Sequence, residues 1–208
     1  IGERALLALH GVVRDTARGL PITLPVFPAL AAWDGTPLPP EAQARLTREG
    51  EAVHTQTYAI GKLALWSADA TKIDGTDSIL RRSAYNKLAI ANPKLAPYGA
   101  AAMQAFEKLG LADTAKDKFV VGENIGQTHQ FVASGNADIG FVALSQITLD
   151  GKLTGGSAWR VPASLYAPIR QDAALLKHGA DNPAARALLD YLKSPQAHTV
   201  IRGYGYDL

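Results

Sequence analysis

The sequence predicts an α/β fold with mainly parallel sheets, and two observations lead there. Between residues 88 and 146 apolar strand-like runs alternate with helix-like runs, the pattern of βαβ units. Twice in that stretch an apolar strand stops at a glycine-containing turn and opens a helix. The first copy is Leu88-Ala-Ile-Ala-Asn-Pro-Lys-Leu-Ala-Pro-Tyr-Gly99, running into a helix over residues 100–110. The second is Phe119-Val-Val-Gly-Glu-Asn-Ile-Gly126, running into Gln127-Thr-His-Gln-Phe-Val-Ala-Ser134.

Each element follows from its residues. Leu6, Leu9, Val13 and Ala17 recur at helical spacing, predicting a helix over residues 3–18 that ends near Gly19. Pro21, Pro25 and Pro28 each remove a ladder donor, so residues 20–28 read as an extended edge or loop. Residues 34–40 form a turn region, and Glu41–Glu49 a short helix closed by Gly50. Thr57–Trp66 is strand-like, and Asp69–Ser83 is a polar connection. Asn124 is an N-cap with Gln127 three residues on, a capping-box arrangement that starts a helix at Ile125, and Gly135-Asn136 ends it. Ile139–Leu144 suits a buried strand. After a glycine-rich connection, Leu165–Leu176 is the strand that returns to the first part of the chain. Asn182-Pro183 opens a helix through Leu192, and Ser194-Pro195 begins one more, to Arg202.

Composition excludes several classes of function. The 208 residues are 47% hydrophobic and 19% charged, a globular balance, and a net charge of +2 gives no field that argues for nucleic acid or a membrane surface. There are no cysteines, so thiolate chemistry and disulfides are out of reach. His10, His54, His129, His178 and His198 are far apart in sequence and form no metal-ligand pair. There is no GxSxG, GxxxxGK[ST] or GxGxxG. Asp69, Asp74 and Asp77 read as a solvated loop around Lys72, and Trp33, Trp66 and Trp159 as packing residues.

The two turns are the chemistry-bearing feature. The first N–H groups of a helix have no partner inside it, and the positive end of the helix dipole lies at the same spot, so a small oxyanion can be held there without Lys or Arg. The wording of these turns is also specific. Ala91-Asn-Pro-Lys-Leu-Ala-Pro-Tyr-Gly99, Gly122-Glu-Asn-Ile-Gly-Gln-Thr128, Gly135-Asn-Ala-Asp-Ile-Gly-Phe-Val-Ala-Leu-Ser-Gln146, Asp190-Tyr-Leu-Lys-Ser-Pro195 and Tyr204-Gly-Tyr206 together resemble the periplasmic molybdate-binding proteins of ABC importers. The resemblance runs from about residue 44 to the C-terminus.

The resemblance implies a two-lobed type II periplasmic-binding-protein fold, with lobe one formed by residues 1–63 plus 166–208 and lobe two by residues 64–165. It implies molybdate or tungstate as ligand, bound as an oxyanion without direct coordination of a metal by side chains, no cofactor and no catalysis. A membrane permease is the implied partner and the periplasm the implied location, with a monomer expected when lobe one is complete. The ligand position of the first turn aligns with Tyr98, beside Gly99. The same logic in the second turn points to Ile125, with Asn124 and Gly126. Ala143 stands where some relatives carry a tyrosine donor.

Residues 1–43 depart from the family. Its lobe one supplies hydroxyl and amide donors from a Ser- or Thr-containing loop and a Gly-Ser turn, whereas the first serine here is Ser67. Thr16, Thr23 and Thr36 are candidate substitutes outside any matching motif. Two readings stay open, a diverged lobe one and an incomplete one with a weakened site, an aggregation-prone exposed edge and reduced affinity. A ligand-sensing domain of the same fold is the alternative function.

Overall fold

The computed structural model describes residues 46–208 except Asp113. A five-stranded sheet forms its centre, in the order β4 (Phe119–Gly122), β3 (Leu88–Ala91), β5 (Ile139–Ala143), β2 (Leu63–Ser67) and β8 (Ser157–Arg160). The predicted βαβ alternation is present. β3 leads into α2 (Pro97–Leu109), β4 into α3 (Ile125–Ala133), and β5 into the single turn α4 (Leu144–Ile147). β3 pairs in parallel with both β4 and β5, while β2 runs antiparallel to β5 and β8, so the parallel character belongs to the βαβ half of the sheet.

Strands β2, β3 and β5 are buried on both faces, which is why they read as unbroken apolar runs. Their alternate residues divide between two layers, as the two-residue strand period requires. Leu63, Leu65, Leu88, Ile90, Ile139 and Phe141 pack with Ala101, Ala102, Ala105 and Phe106 of α2. Ala64, Trp66, Ala89 and Val142 face the other way and pack with Val132 of α3. Gly140 permits that second layer, because a Cβ there would come within 2.6 Å of Val132 Cγ2.

A second unit is a two-stranded antiparallel ribbon of β1 (Ala52–Gly61) and β9 (Ile169–Leu176). Two C-terminal helices cover it, α5 (Pro183–Tyr191) and α6 (Pro195–Gly203), each with Pro in its first turn. Asn182 Oδ1 accepts from Ala184 N (2.9 Å) and Ser194 Oγ accepts from Ala197 N (3.1 Å) as their N-caps. Ala59 packs with Ala197 and Ile201, and Leu175 with Leu189 and Leu192, with Tyr58 between the two groups.

The structure redraws several sequence boundaries. The strand expected over 57–66 is two strands, because the chain changes partners at Lys62: β1 pairs with β9, and β2 with β5 and β8. Apolar pattern alone carries no record of that switch. The return strand begins at Ile169, after a 3-10 turn over Ala163–Leu165. Leu144 opens α4 instead of ending β5, its N–H turning to the Lys62 carbonyl (2.8 Å). The polar connection after Ser67 contains a short helix, α1 (Ser78–Arg81), whose Ile79 and Leu80 reach the core. Residues 46–48 are helical and Gly50 has φ +70°, matching the expected stop. The helix at 3–18, the extended 20–28, the turn at 34–40 and the start of the helix at 41–49 lie outside the described residues.

Phe106 is fully buried, with edge-on ring contacts to Phe119 (5.5 Å) and Phe141 (5.3 Å). Phe106→Ala should therefore cost about 3–5 kcal/mol. Urea unfolding should show a lower midpoint at an unchanged m-value.

Candidate functional site

Parallel pairing brings the two glycine-bearing turns side by side. Ala91, the last residue of β3, is in register with Gly122, the last of β4, and the Asn92 N–H donates to the Gly122 carbonyl at 2.7 Å. Helices α2 and α3 therefore start from neighbouring strand ends on one edge of the sheet, where open α/β sheets collect ligands. β2 starts at that edge too, since Leu63 pairs with Ala143. β8 ends there, since Ala64 pairs with Arg160. The connections to β1 and β9 leave from the same place.

In α2 the helix starts three residues earlier than expected, at Pro97, which puts Tyr98 and Gly99 inside its first turn. Pro97 has no N–H, and the Gly99 and Ala100 amides both donate to the Ala96 carbonyl (2.9 and 3.1 Å). The Tyr98 amide is the donor of this turn that the helix does not use. Gly99 serves packing: a Cβ there would collide with the Ala91 carbonyl, so only glycine lets α2 sit this tightly on the end of β3.

In α3 the Asn124 side chain accepts from the Gln127 amide (2.9 Å) and its carbonyl from the Thr128 amide (3.1 Å). Ile125 and Gly126 then carry the first-turn amides left over. The reciprocal half of the capping box differs from expectation. Gln127 Oε1 accepts from the Glu123 N–H (2.7 Å), one residue before the cap, because the chain enters the helix from extended backbone at Asn124 (φ −146°, ψ 173°). A Cβ at Gly126 would press on the capping Asn124 Oδ1, 3.1 Å away, so glycine here spares the cap.

At the third helix start the cap and first amides are taken up. Ala143 N–H donates to Gln146 Oε1 (3.1 Å) and Leu144 N–H to Lys62 O, and the Ala143 side chain is buried. Donors at this edge thus concentrate on Tyr98, Ile125 and Gly126.

The Tyr98 side chain is buried, and its phenol lies against Gly61 at the end of β1, where any Cβ would overlap the hydroxyl. Burial first, then the nearby phenols of Tyr206, Tyr58 and Tyr166, push its pKa well above the ordinary 10.0, so it stays a protonated donor. Tyr58 is pushed up chiefly by burial, as is Tyr206, which a hydrogen bond with Ser145 partly offsets. The Tyr166 hydroxyl accepts from the Leu63 N–H (3.0 Å). Sequence reading missed this ring of tyrosines around the strand crossing, since Tyr58, Tyr98, Tyr166 and Tyr206 are spread over the chain. It also missed Gln146, whose position three residues after an unremarkable alanine gave no capping signal.

The remaining candidates resolve into structure. Trp66 stacks on His129 (4.9 Å, 7° between planes) and donates to Gly155 O (2.9 Å), and Trp159 is in the core. Asp69 and Asp74 close Asx turns on Thr71 and Thr76, and Asp77 pairs with Arg81 (2.7 Å). Hydrogen bonds from Ser78 and Thr76 lower the pKa of the Asp74 carboxyl to about 2. Among the described residues no cluster of three metal-ligating side chains exists, and no helix is long and apolar enough to cross a membrane. Thr16, Thr23, Thr36, His10 and Trp33 lie outside the described residues.

Residues 38–207 match the family of bacterial extracellular solute-binding proteins. The chain belongs to that family. This solute-binding chain is 56% identical over 181 residues to the molybdate-binding protein ModA of Azotobacter vinelandii, covering 86% of the chain and 69% of that protein. It is 51% identical over 164 residues to ModA of Rhodobacter capsulatus, covering 78% of the chain and 64% of that protein. The solved structure of the Azotobacter vinelandii periplasmic molybdate-binding protein superimposes with a TM-score of 0.75 at 39% identity, over 82% of this chain and 75% of that one. The chain thus spans about two thirds of the length of these relatives. The type II fold expected from the motifs is the fold observed, and within the family the sequence falls among the molybdate-binding proteins.

Two predictions follow from the tyrosine crossing. Gly61→Ala must displace the Tyr98 phenol. Oxyanion titration by calorimetry should show at least tenfold weaker binding, with the melting temperature changed little if the phenol can move aside. The second concerns pH. Folded-state phenol pKa values above 10.0 mean that the unfolded chain releases these protons first, so stability is intact below about pH 10 and falls as pH rises beyond it. Urea unfolding across that range, followed with phenolate absorbance, should show ionisation and unfolding together.

Proposed function

We propose that this chain is the solute-binding component of an ABC importer that takes molybdate or tungstate, and that it performs no catalysis. The oxyanion sits at the sheet edge, held by the amides of Tyr98, Ile125 and Gly126 and by the Tyr98 phenol, with Asn124 and Gly99 fixing the turns. The observation that carries this reading is the pair of helix starts with uncommitted amides on adjacent parallel strands. The names and similarity of the relatives support the choice of ligand.

Residues 64–165 form lobe two in this reading, and residues 1–63 with 166–208 form lobe one, the β1–β9 ribbon acting as the hinge about which the lobes close on the ligand. The closed form is a monomer in the periplasm and docks on a membrane permease; nucleic acid is not a partner.

A site of donors alone selects by protonation state and by size. Fully deprotonated molybdate and tungstate need only donors, whereas the proton retained by phosphate needs an acceptor. Sulfate has shorter bonds and leaves some donors out of reach. Calorimetric competition should give molybdate and tungstate as similar, sulfate weaker and phosphate weakest. Phosphate displacing molybdate overturns the reading. Ile125→Pro removes one donor at a position where proline is tolerated and where Asn124 already has the extended backbone that proline requires. Loss of one hydrogen bond to a charged ligand, about 1.5–3 kcal/mol, should weaken molybdate binding about 10- to 150-fold.

A further inference from the structure

We propose that Gln146 is a positioning residue for the anion site, aiming the Gly126 amide from behind. Its side chain is buried and spans two helix starts. Nε2 donates to the Ile125 carbonyl (3.1 Å), while Oε1 accepts from the Ala143 amide (3.1 Å). The Ile125 carbonyl and the Gly126 N–H belong to one planar trans peptide and point in opposite directions. Anchoring the carbonyl on Gln146 therefore fixes the direction of the Gly126 N–H. Donation into that carbonyl also polarises the same peptide, which strengthens its N–H as a donor.

The second half of the contact is what makes the brace rigid. Ala143 ends β5, a central strand of the sheet, and Leu144 is tied to Lys62 at the start of β2 (2.8 Å). Gln146 thus references the α3 start to the buried core. Beside it, Ser145 neighbours Tyr206, one of the phenols around Tyr98.

This inference rests on the anion-site reading, and its test separates the two. Gln146→Glu keeps the acceptor for Ala143 and converts the donor into a group that donates to the Ile125 carbonyl only when protonated. Gln146→Leu removes both contacts. Molybdate and tungstate affinities are measured by calorimetry from pH 8 to pH 5 for both variants and the parent chain, with thermal melts alongside. The expected result is at least tenfold weaker binding by Gln146→Glu at pH 8, with its affinity relative to the parent recovering as pH falls, and weak binding by Gln146→Leu at every pH. Parent-like affinity in both variants overturns the positioning role. So does an equal deficit of Gln146→Glu at all pH values, which marks Gln146 as a cap for α4 and nothing more. If the parent chain itself binds neither oxyanion, the anion-site reading falls and this role falls with it. Should Gln146→Leu fail to fold, the pH profile of Gln146→Glu still decides.

Discussion

A backbone amide in the first turn of a helix has no acceptor within that helix, and where such amides go organises the edge of the sheet in this protein. Among the described residues three helices start there. At α4 Gln146 takes the amide of the capping residue Ala143 and the Lys62 carbonyl that of Leu144. In α3 the Asn124 side chain and carbonyl take the Gln127 and Thr128 amides, and in α2 the Ala96 carbonyl takes those of Gly99 and Ala100. What is left is a small set of donors on two neighbouring turns. In the proposed reading an oxyanion at that edge would satisfy several of them at once.

The requirement reaches into the core. For α2 and α3 to begin side by side, β3 and β4 must pair in parallel and end in register, as Ala91 and Gly122 do. The helices must then lie close on opposite faces, which Gly99 permits for α2 at the end of β3 and Gly140 permits for α3 against β5. These glycines answer to packing against strands, whereas Gly126 answers to the helix cap, since a Cβ there would press on Asn124 Oδ1.

Much of this was legible from residue order because it is local. Apolar runs buried on both faces, a proline at N1 and an Asn-to-Gln cap signal are written in adjacent residues, so the βαβ segment, the start of α3 and both C-terminal helices were readable. Partner exchange at Lys62 was not, since strand pattern says that a segment pairs but not with what. The role of Tyr98 was half legible. Its position in the turn pointed to the amide, but the burial of its phenol against Gly61 depends on a strand crossing 37 residues away in sequence. Gln146 was invisible for the same reason, as both its partners are set by tertiary structure.

The tyrosine crossing makes the connection between the sheet and the β1–β9 ribbon chemically specific. Tyr98 comes from α2, Tyr58 from β1, Tyr166 from the loop before β9 and Tyr206 from beyond α6, so four separate parts of the chain present phenols to one another. Phenols are amphipathic. Their rings bury apolar area while each hydroxyl can donate or accept, as Tyr166 does for Leu63 N–H and Tyr206 does with Ser145. Such a joint can exchange hydrogen-bond partners with little change in packing, which suits the hinge proposed for the β1–β9 ribbon. Burial keeps the Tyr98 phenol protonated, and in the proposed reading it is a neutral donor to the ligand. A Lys or Arg there would attract any anion of sufficient charge. In the proposed reading a neutral phenol set among backbone dipoles favours one whose oxygens match the donor geometry, so the crossing that joins the two units would also sharpen selectivity at the sheet edge.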